Sequence, residues 1–459
     1  MTKHKSPLIP SKEGVTKLLY LWLVLLLPLI GFSQTGPGGV GSNDGSSSLR
    51  IWYNTTGGVV TTGAVVDSLR NLAGVNAFDV GETGGQRPTL VAGAVNGYDE
   101  ISFSGSNRLR TGLTLTPANF IVNEASSFVV NRADNTTQRS CVYTTDPLVG
   151  STRFTNHIPW SGTVYFDIGT CCGSSARIQV GGLTGLTNYS YWSYDAHPTT
   201  GKQLYRNGSL LQSRANTTTY TSYASQRFNV GGNTSGTQGY VGDVAELIVF
   251  NSRVNSAQRI IVENYLAAKF GLNSTSNDVY DEDDSANGNF DHDVAGIGRI
   301  DASNLHNDSQ GTGIVRVSDP TGLDNNEFLI WGHDNGALTL TNTTDVPSNT
   351  TSSRLDRVWR VSEANTSGSS VDVGAIDIRV DMTGIAGFSA TNLPQLIVDT
   401  DNDGSFDDEF PISATAALGN DIYRFSGTTA LSDNSRFTFG IGVTTVISNR
   451  KITYRINKN

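Results

Sequence analysis

Residues 239–250 read GYVGDVAELIVF, and residues 256–271 read SAQRIIVENYLAAKFG. The first stretch is rich in β-branched and apolar residues, which predicts a strand. In the second, Val262, Leu266 and Phe270 recur at every fourth position and form one apolar stripe. That spacing predicts an amphipathic helix. A strand that leads directly into a helix is therefore the expected end of a domain.

Start and stop signals bound this helix at about residues 256–270. Ser256 is the expected N-cap, because its side chain can accept a hydrogen bond from the first turn. Gly271 is the expected stop, because it adopts the left-handed conformation without strain.

The rest of the chain favours strands. It has 459 residues, of which 50 are glycine and 16% are charged. Asn207-Gly208 lies between two β-prone flanks, as a tight hairpin turn requires. Apolar and polar residues alternate over residues 376–382, the pattern of a half-buried strand. We expect an all-β protein of two or three domains.

Several of these segments together resemble the LamG-like domains, the concanavalin A-like jelly rolls common in secreted proteins of Bacteroidetes. The resemblance rests on Y-x-G-D-x-A-E-x-x-V-F-N with its helix, on the strands around residues 101–109 and on L-Y-x-N-G at residues 204–208. It implies a jelly-roll β-sandwich over residues 49–273. Residues 274–445 are predicted to form one or two further β-sandwich-like units. HDVAGIGR at residues 292–299 resembles an uncharacterised β-rich module that often follows such domains.

The start of the chain has the features of an export signal. Lysines precede an apolar core at residues 18–30, and small residues precede a predicted cut before Gln34, so residues 1–33 are interpreted as a signal peptide. Residues 34–48 are predicted to be a Gly/Ser-rich, mostly flexible linker, and residues 446–459 a basic tail. We expect a secreted, extracellular or outer-surface protein without an integral membrane span in its mature chain.

A net charge of −10 argues against nucleic acid and anionic membranes as partners. Three cysteines permit one intramolecular disulfide, and export permits oxidation. Cys141 paired with Cys171 or Cys172 is one expectation, and buried free thiols are the alternative.

The acidic stretch 399–409 reads DTDNDGSFDDE. Its D-x-D-x-D-G core places carboxylates on alternate residues of a turn, an arrangement that suits Ca²⁺. We expect a structural calcium ion held by Asp399, Asp401, Asp403 and Asp407, with a solvated acidic turn as the alternative. Residues 281–284, also acidic, are expected to be a solvated linker, although a weaker cation site stays open.

Aromatic residues are the candidate ligand-binding groups, because exposed rings stack on sugar faces. The candidates are Trp160, Tyr165, Tyr189, Tyr191, Trp192 and Tyr194. In a strand, Tyr189 and Tyr191 face one side while Trp192 and Tyr194 face the other, so at least one pair is expected in the core. Packing between sheets is the alternative for the whole run.

No catalytic residue is assigned. The chain contains no E-x-D-x-x-E, G-x-S-x-G or H-E-x-x-H pattern. The sequence therefore favours a binding or adhesion protein that recognises carbohydrate or another extracellular polymer. A glycoside hydrolase or lyase in the same fold, and a purely structural surface protein, remain the alternatives.

Overall fold

The computed structural model describes residues 34–150, 152–173, 176–217, 223 and 225–443. The predicted signal peptide at residues 1–33 and the predicted tail at residues 446–459 lie outside the described residues. Among the described residues, no helix is both long and apolar enough to cross a membrane.

The first part of the chain contains seventeen strands among its described residues, followed by one α-helix, α1 (Ser256–Phe270). The strands are β1 Leu49–Asn54, β2 Val59–Thr62, β3 Val65–Leu69, β4 Val80–Gly81, β5 Thr89–Val95, β6 Tyr98–Ser104, β7 Leu109–Thr111, β8 Ala125–Ala133, β9 Tyr143–Asp146, β10 Arg153–Trp160, β11 Thr163–Gly169, β12 Ile178–Val180, β13 Ser190–His197, β14 Gly201–Arg206, β15 Ser209–Arg214, β16 Arg227–Val230 and β17 Val241–Phe250.

These strands pair antiparallel and form two layers. The helix-side sheet has the order β15–β14–β13–β8–β17, and β17 also pairs with β1 and β6. The cavity-side sheet has the order β12–β11–β10–β9–β16–β7–β4. β3 and β5 connect the two layers at one edge. The predicted all-β jelly-roll sandwich is confirmed.

Side-chain alternation divides β13 between two environments. Trp192 and Tyr194 point into the core between the sheets, whereas Tyr191 points to the opposite side, against α1. The hairpin from β14 to β15 turns at Asn207-Gly208, both with positive φ (47° and 81°), as its Asn-Gly sequence predicts.

The N-cap of α1 lies one residue before the predicted cap. Asn255, not Ser256, is the N-cap: its side chain accepts from the backbone N–H of Gln258, whose side chain accepts from the Asn255 N–H in return. This reciprocal pair satisfies two backbone donors that would otherwise lack partners. Gly271 ends the helix in the left-handed conformation, as predicted (φ 59°).

The prediction of a single apolar stripe on α1 is wrong, because the helix is buried around its whole circumference. One side packs on Phe128, Ile248 and Phe250 of the helix-side sheet, and another packs on Phe328 and Ile330 of the following unit. A helix that is covered on all sides serves as core for both units.

The second unit contains thirteen strands among its described residues, arranged as two further sheets. They are β18 His292–Asp301, β19 Asn304–His306, β20 Asp308–Ser309, β21 Val315–Ser318, β22 Glu327–His333, β23 Thr351–Arg354, β24 Trp359–Asn365, β25 Ile376–Asp381, β26 Pro394–Asp399, β27 Ile412–Ser413, β28 Ala416–Gly419, β29 Ile422–Thr428 and β30 Arg436–Gly442. One sheet has the order β19–β18–β22–β24–β30–β26–β27, with β23 also on β30, and the other has the order β20–β21–β25–β29–β28.

The core of the second unit lies between these sheets and includes Trp331, Trp359 and Phe439. The alternation predicted at residues 376–382 is confirmed, since buried and partly exposed residues alternate along β25. The second unit is thus one further β-sandwich.

The prediction of a solvated linker at residues 281–284 fails at Glu282, whereas Asp281 and Asp284 are exposed. Glu282 is fully buried, and its carboxylate lies 2.8 Å from the guanidinium of Arg360. Burying a carboxylate is costly unless a cation accompanies it, so this pair makes the segment part of the second sandwich.

Residues 34–48 are not a flexible linker, because much of the segment is buried. Val40 belongs to the core around α1, and the backbone carbonyl of Gly39 accepts a hydrogen bond from His306 Nε2 at 3.1 Å. Gly39 has φ 84°, and a Cβ there would lie 1.7 Å from Ser309 Oγ. The glycines that suggested flexibility permit close packing instead.

Candidate ligand-binding cavity

A cavity of about 200 Å³ lies on the outer face of the cavity-side sheet. Two of the six candidate aromatic residues, Trp160 and Tyr165, line it from the hairpin that joins β10 to β11. The other lining residues are Arg153, His157, Cys172, Arg177 and Gln238.

Strand alternation places these side chains on the outer face. Along β10, Phe154 and Ile158 point into the core, which leaves Arg153 and His157 on the outside. His157 pairs with Tyr165 across the hairpin, so both rings lie on the same face.

The rings meet at defined angles. His157 lies edge-on to Trp160 at 5.0 Å between centroids and edge-on to Tyr165 at 6.2 Å. The guanidinium carbon of Arg177 lies 4.0 Å from the centre of the Tyr165 ring. Arg177 therefore covers part of Tyr165, and Trp160 is the better-placed ring for stacking on a ligand.

Asp167 lies beneath the cavity and is shared unequally by two arginines. Arg177 approaches it with two nitrogens, Nε at 2.9 Å from Oδ1 and Nη2 at 2.9 Å from Oδ2. Arg153 Nη1 stays 3.7 Å from Oδ2, and Arg153 Nε has no hydrogen-bond partner among the described residues. Burial raises the pKa of Asp167, while the two guanidinium groups act in the opposite direction.

His157 is neutral at physiological pH. Its Nδ1 lies 2.7 Å from the backbone carbonyl of Ser140, which can only accept, so Nδ1 carries the proton. Burial lowers the pKa of His157 to about 3. The unprotonated Nε2, 4.0 Å from Asp167 Oδ2, is therefore an acceptor for a ligand hydroxyl.

Some buried polar atoms near this face lack hydrogen-bond partners in the described part of the chain, as others do elsewhere in the protein. Among the described residues, Gln238 Oε1 in the cavity lining and Asn229 Oδ1 on the same sheet have no hydrogen-bond partner. An unpaired buried acceptor costs about 1–3 kcal/mol, so such atoms suit a site that a polar ligand completes.

The cysteine prediction is corrected by the structure. Cys171 is bonded to its neighbour Cys172, and Cys141 is a buried free thiol. Cys141 Sγ donates to the backbone carbonyl of Gln238 at 3.5 Å. Cys172 lies in the cavity wall, so the disulfide borders the site.

The other candidate aromatic residues lie elsewhere. Trp192, Tyr194 and Tyr191 are each only 1% exposed and belong to the two cores. Tyr189 is partly exposed, but its hydroxyl donates to Glu100. The structure therefore does not form a platform from the 189–194 run.

The acidic loop brings together three of its four predicted ligands. One carboxylate oxygen from each of Asp399, Asp401 and Asp403 lies within 4.8 Å of the others, and Asp407 is outside this group. Asp399 already accepts from the backbone N–H of Gly404 at 2.9 Å, and Arg436 Nη1 lies 3.4 Å away from it. The donor type fits a hard cation, with Arg436 as a neighbouring competitor.

A second cavity, of about 230 Å³, lies where the two units meet. It is lined by Trp52, Tyr98, Tyr265, Lys269 and Asp293 among others. Its charged groups have protein partners, since Lys269 pairs with Glu246 at 2.7 Å and Asp293 with His333 at 2.9 Å. The cavity beside Trp160 is the better candidate because Arg153 Nε and Gln238 Oε1 in its lining have no hydrogen-bond partner in the described part of the chain.

Comparison with known proteins gives one family-level match, to a domain of unknown function (DUF8202), over residues 258–435. The match covers less than half of the chain and includes most of α1. No curated protein matches.

Solved structures that resemble this chain are β-rich. Domain 4 of an extracellular GH43 arabinanase from Geobacillus stearothermophilus, in complex with arabinotriose, has 14% identity and a TM-score of 0.34 over 47% of this chain and 97% of that domain. The botulinum neurotoxin serotype D binding domain has 10% identity and a TM-score of 0.36 over 85% and 98%. A Trypanosoma rangeli sialidase has 13% identity and a TM-score of 0.33, and only 39% of its length is covered. Scores of this size do not establish a shared ligand.

Proposed function

We propose that this chain is a secreted or cell-surface LamG-like protein that binds carbohydrate through the cavity beside Trp160. This proposal rests on one small cavity that combines a partly exposed aromatic ring with polar atoms that have no hydrogen-bond partner among the described residues. Sugar sites join an apolar surface for the ring face with a few fixed polar groups for the hydroxyls. Trp160 supplies the surface, and His157 Nε2 and Gln238 Oε1 accept from hydroxyls.

The volume restricts what enters the cavity. Pockets for drug-sized ligands occupy roughly 300–1,000 Å³, so about 200 Å³ accommodates little more than one sugar ring. The ligand on this proposal is a terminal or side-chain residue of a polymer, as suits adhesion or glycan capture.

The test is co-sedimentation of the full chain with insoluble polysaccharides, with the supernatants assayed for new reducing ends. Trp160→Ala should weaken binding by about 2 kcal/mol or more, roughly thirtyfold, as removal of a central aromatic contact does. Phe410→Ala is the matched control, because Phe410 is 92% exposed and lies in the second sandwich. Equal loss in both variants, or no binding in wild type, rejects the proposal.

The same assay separates binding from catalysis. Hydrolysis of a glycosidic bond ordinarily uses two carboxyl groups, and the seven side chains that line the cavity include none. Sugar release into the supernatant would therefore locate a different, catalytic site and favour the hydrolase or lyase alternative.

Calcium is the second element of the proposal, with a structural role at Asp399, Asp401 and Asp403. Three carboxylates whose oxygens lie within 4.8 Å repel one another until a cation neutralises them. A bound ion stabilises the folded state by about 2.7 kcal/mol at a hundred times its Kd. Thermal melting with Ca²⁺ should show an increase in Tm that Asp401→Ala with Asp403→Ala abolishes, and no increase in wild type would reject the calcium site.

A further inference from the structure

Charge around the cavity is unbalanced in a way that the proposed carbohydrate function does not require. Two guanidinium groups, from Arg153 and Arg177, face one carboxylate, Asp167. In either protonation state of Asp167 the cavity has an excess of positive charge. This excess lies within a protein whose net charge is −10, so it is a local feature of the site and not a reflection of composition.

The unbalanced cation is Arg153. Arg177 uses two nitrogens on Asp167 and stacks on Tyr165, so its geometry is fixed by the protein. Arg153 has only a 3.7 Å approach to Asp167, although its side chain is just 14% exposed. Burial lowers the pKa of Arg153, which reflects the free energy needed to keep this poorly paired charge out of water. An anion from outside would supply the missing partner.

The remaining polar atoms restrict what kind of anion fits. His157 Nε2 and Gln238 Oε1 are acceptors, so a ligand that satisfies them must donate hydrogen bonds. Chloride and sulfate have no such donors, whereas a sugar has several hydroxyls. The face of Trp160 favours a ring.

We propose that the cavity selects an acidic sugar, a pyranose carrying a carboxylate or a sulfate, with Arg153 as the residue that reads the negative charge. This inference rests on the proposed function. The anionic group pairs with the Arg153 guanidinium, the ring lies against Trp160, and hydroxyls donate to His157 and Gln238. Charge-assisted hydrogen bonds of this type are stronger than neutral ones, so the acidic group dominates selectivity.

The experiment compares probes that differ only in charge. Isothermal titration of the full chain uses a hexuronate trisaccharide against its carboxyl-reduced form, and a sulfated trisaccharide against its desulfated form. At least one charged probe should bind about tenfold or more tightly than its neutral counterpart, the size expected for a hydrogen bond to a charged group. The two pairs distinguish carboxylate from sulfate. Raising the salt from about 0.01 M to about 1 M, which shortens the screening length from about 30 Å to about 3 Å, should weaken only the charged probe.

Arg153→Gln should remove the preference for the charged probe over its neutral counterpart. Arg153→Lys retains the charge and should retain part of the preference, which keeps the test informative if the glutamine variant does not fold. Arg70→Gln removes the same charge from an exposed position outside the cavity lining and should change nothing.

The outcomes separate the two proposals. Equal binding of charged and neutral probes, with loss of both in Trp160→Ala, overturns the acidic-sugar inference and leaves carbohydrate binding intact. A charge preference that survives Arg153→Gln, or that Arg70→Gln also removes, overturns the role of Arg153. Absence of binding to every probe and to the polysaccharide panel rejects both proposals together.

Discussion

The two outer faces of the first sandwich are both formed by antiparallel strands, but they differ in how completely their charged and polar groups are paired. On the helix-side sheet, α1 covers the strands, and the charged groups beneath it have partners: Glu246 accepts from Trp52 Nε1 at 2.6 Å, Tyr265 OH at 2.9 Å and Lys269 Nζ at 2.7 Å. On the cavity-side sheet, loops cover the strands, and Arg153 and Gln238 are left incompletely paired.

The difference shows how one sandwich face becomes structural and the other becomes available for binding. A helix packed on both sides excludes water, and any charge left under it must be neutralised within the protein. A face closed by loops keeps some polar atoms that the chain itself does not satisfy. The second face is where a ligand gains most by supplying partners.

Removing one partner of the ion pair between Lys269 and Glu246, beneath α1, should have the largest effect on stability. Lys269→Met keeps most of the side-chain length but leaves the Glu246 carboxylate without its cation at 1% exposure. Removing one partner of a buried ion pair costs about 3–5 kcal/mol, so urea denaturation should show a loss of that order.

The double variant Glu246→Gln with Lys269→Met is the control for this prediction. Because it removes both charges, it should recover a large part of the lost stability. If the free energy of unfolding of Lys269→Met lay within about 1 kcal/mol of the wild-type value, Glu246 would be in contact with water, and α1 would not exclude water from this face.

Residues 34–48 pack on the same side of the molecule as α1. Their contact with His306 should make the stability of the folded state sensitive to acid. His306 Nε2 donates to the Gly39 carbonyl, and burial lowers the pKa of His306 to about 4 from an ordinary value of 6.5. The folded state therefore holds the neutral form. The contribution of neutral His306 to the stability of the folded state is complete above about pH 6.5 and is lost as the pH falls toward 4.

At pH 5 the loss from His306 amounts to about 2 kcal/mol, since 1.5 pH units below the unfolded pKa correspond to about 1.4 kcal/mol each. His306→Gln should lose that much less stability than wild type between pH 7.5 and 5, measured by denaturation at both pH values. His157 contributes with the same sign in both proteins and cancels in the difference. Identical pH profiles would contradict the prediction.

The sequence predicted local features well and long-range packing poorly. The all-β class, the helix, the Asn207-Gly208 turn and the alternation in β25 depend on neighbouring residues, and all are confirmed. The flexible linker at residues 34–48 was wrong because Gly39 packs closely against Ser309, which is far away in sequence. The single apolar stripe on α1 was wrong because the second sandwich covers another side of the helix, a contact that helical spacing does not reveal.

The candidate site shows the same division. Trp160 and Tyr165 were identified from residue type, while Arg153, His157, Arg177 and Gln238 were missed. Alternation along β10 places Arg153 and His157 on one face, a signal present in the sequence once the inward Phe154 and Ile158 are recognised. Gln238 reaches the cavity only through tertiary folding of its loop, and no local pattern indicates it.

The smallest expected effect on stability concerns Gln238, on the face of the sandwich that bears the cavity. In Gln238→Met an apolar side chain of similar length replaces one whose buried Oε1 has no hydrogen-bond partner within the described ranges of the chain. Removing an unsatisfied buried acceptor should raise the free energy of unfolding by about 1 kcal/mol, measured by urea denaturation. The same variant should bind the glycan probes more weakly, because a hydroxyl loses its acceptor. If both stability and binding fell, Gln238 would be holding the loop in place, and the unpaired oxygen would not mark a ligand position. Stability gained as binding is lost is the expected signature of a polar group retained for a ligand.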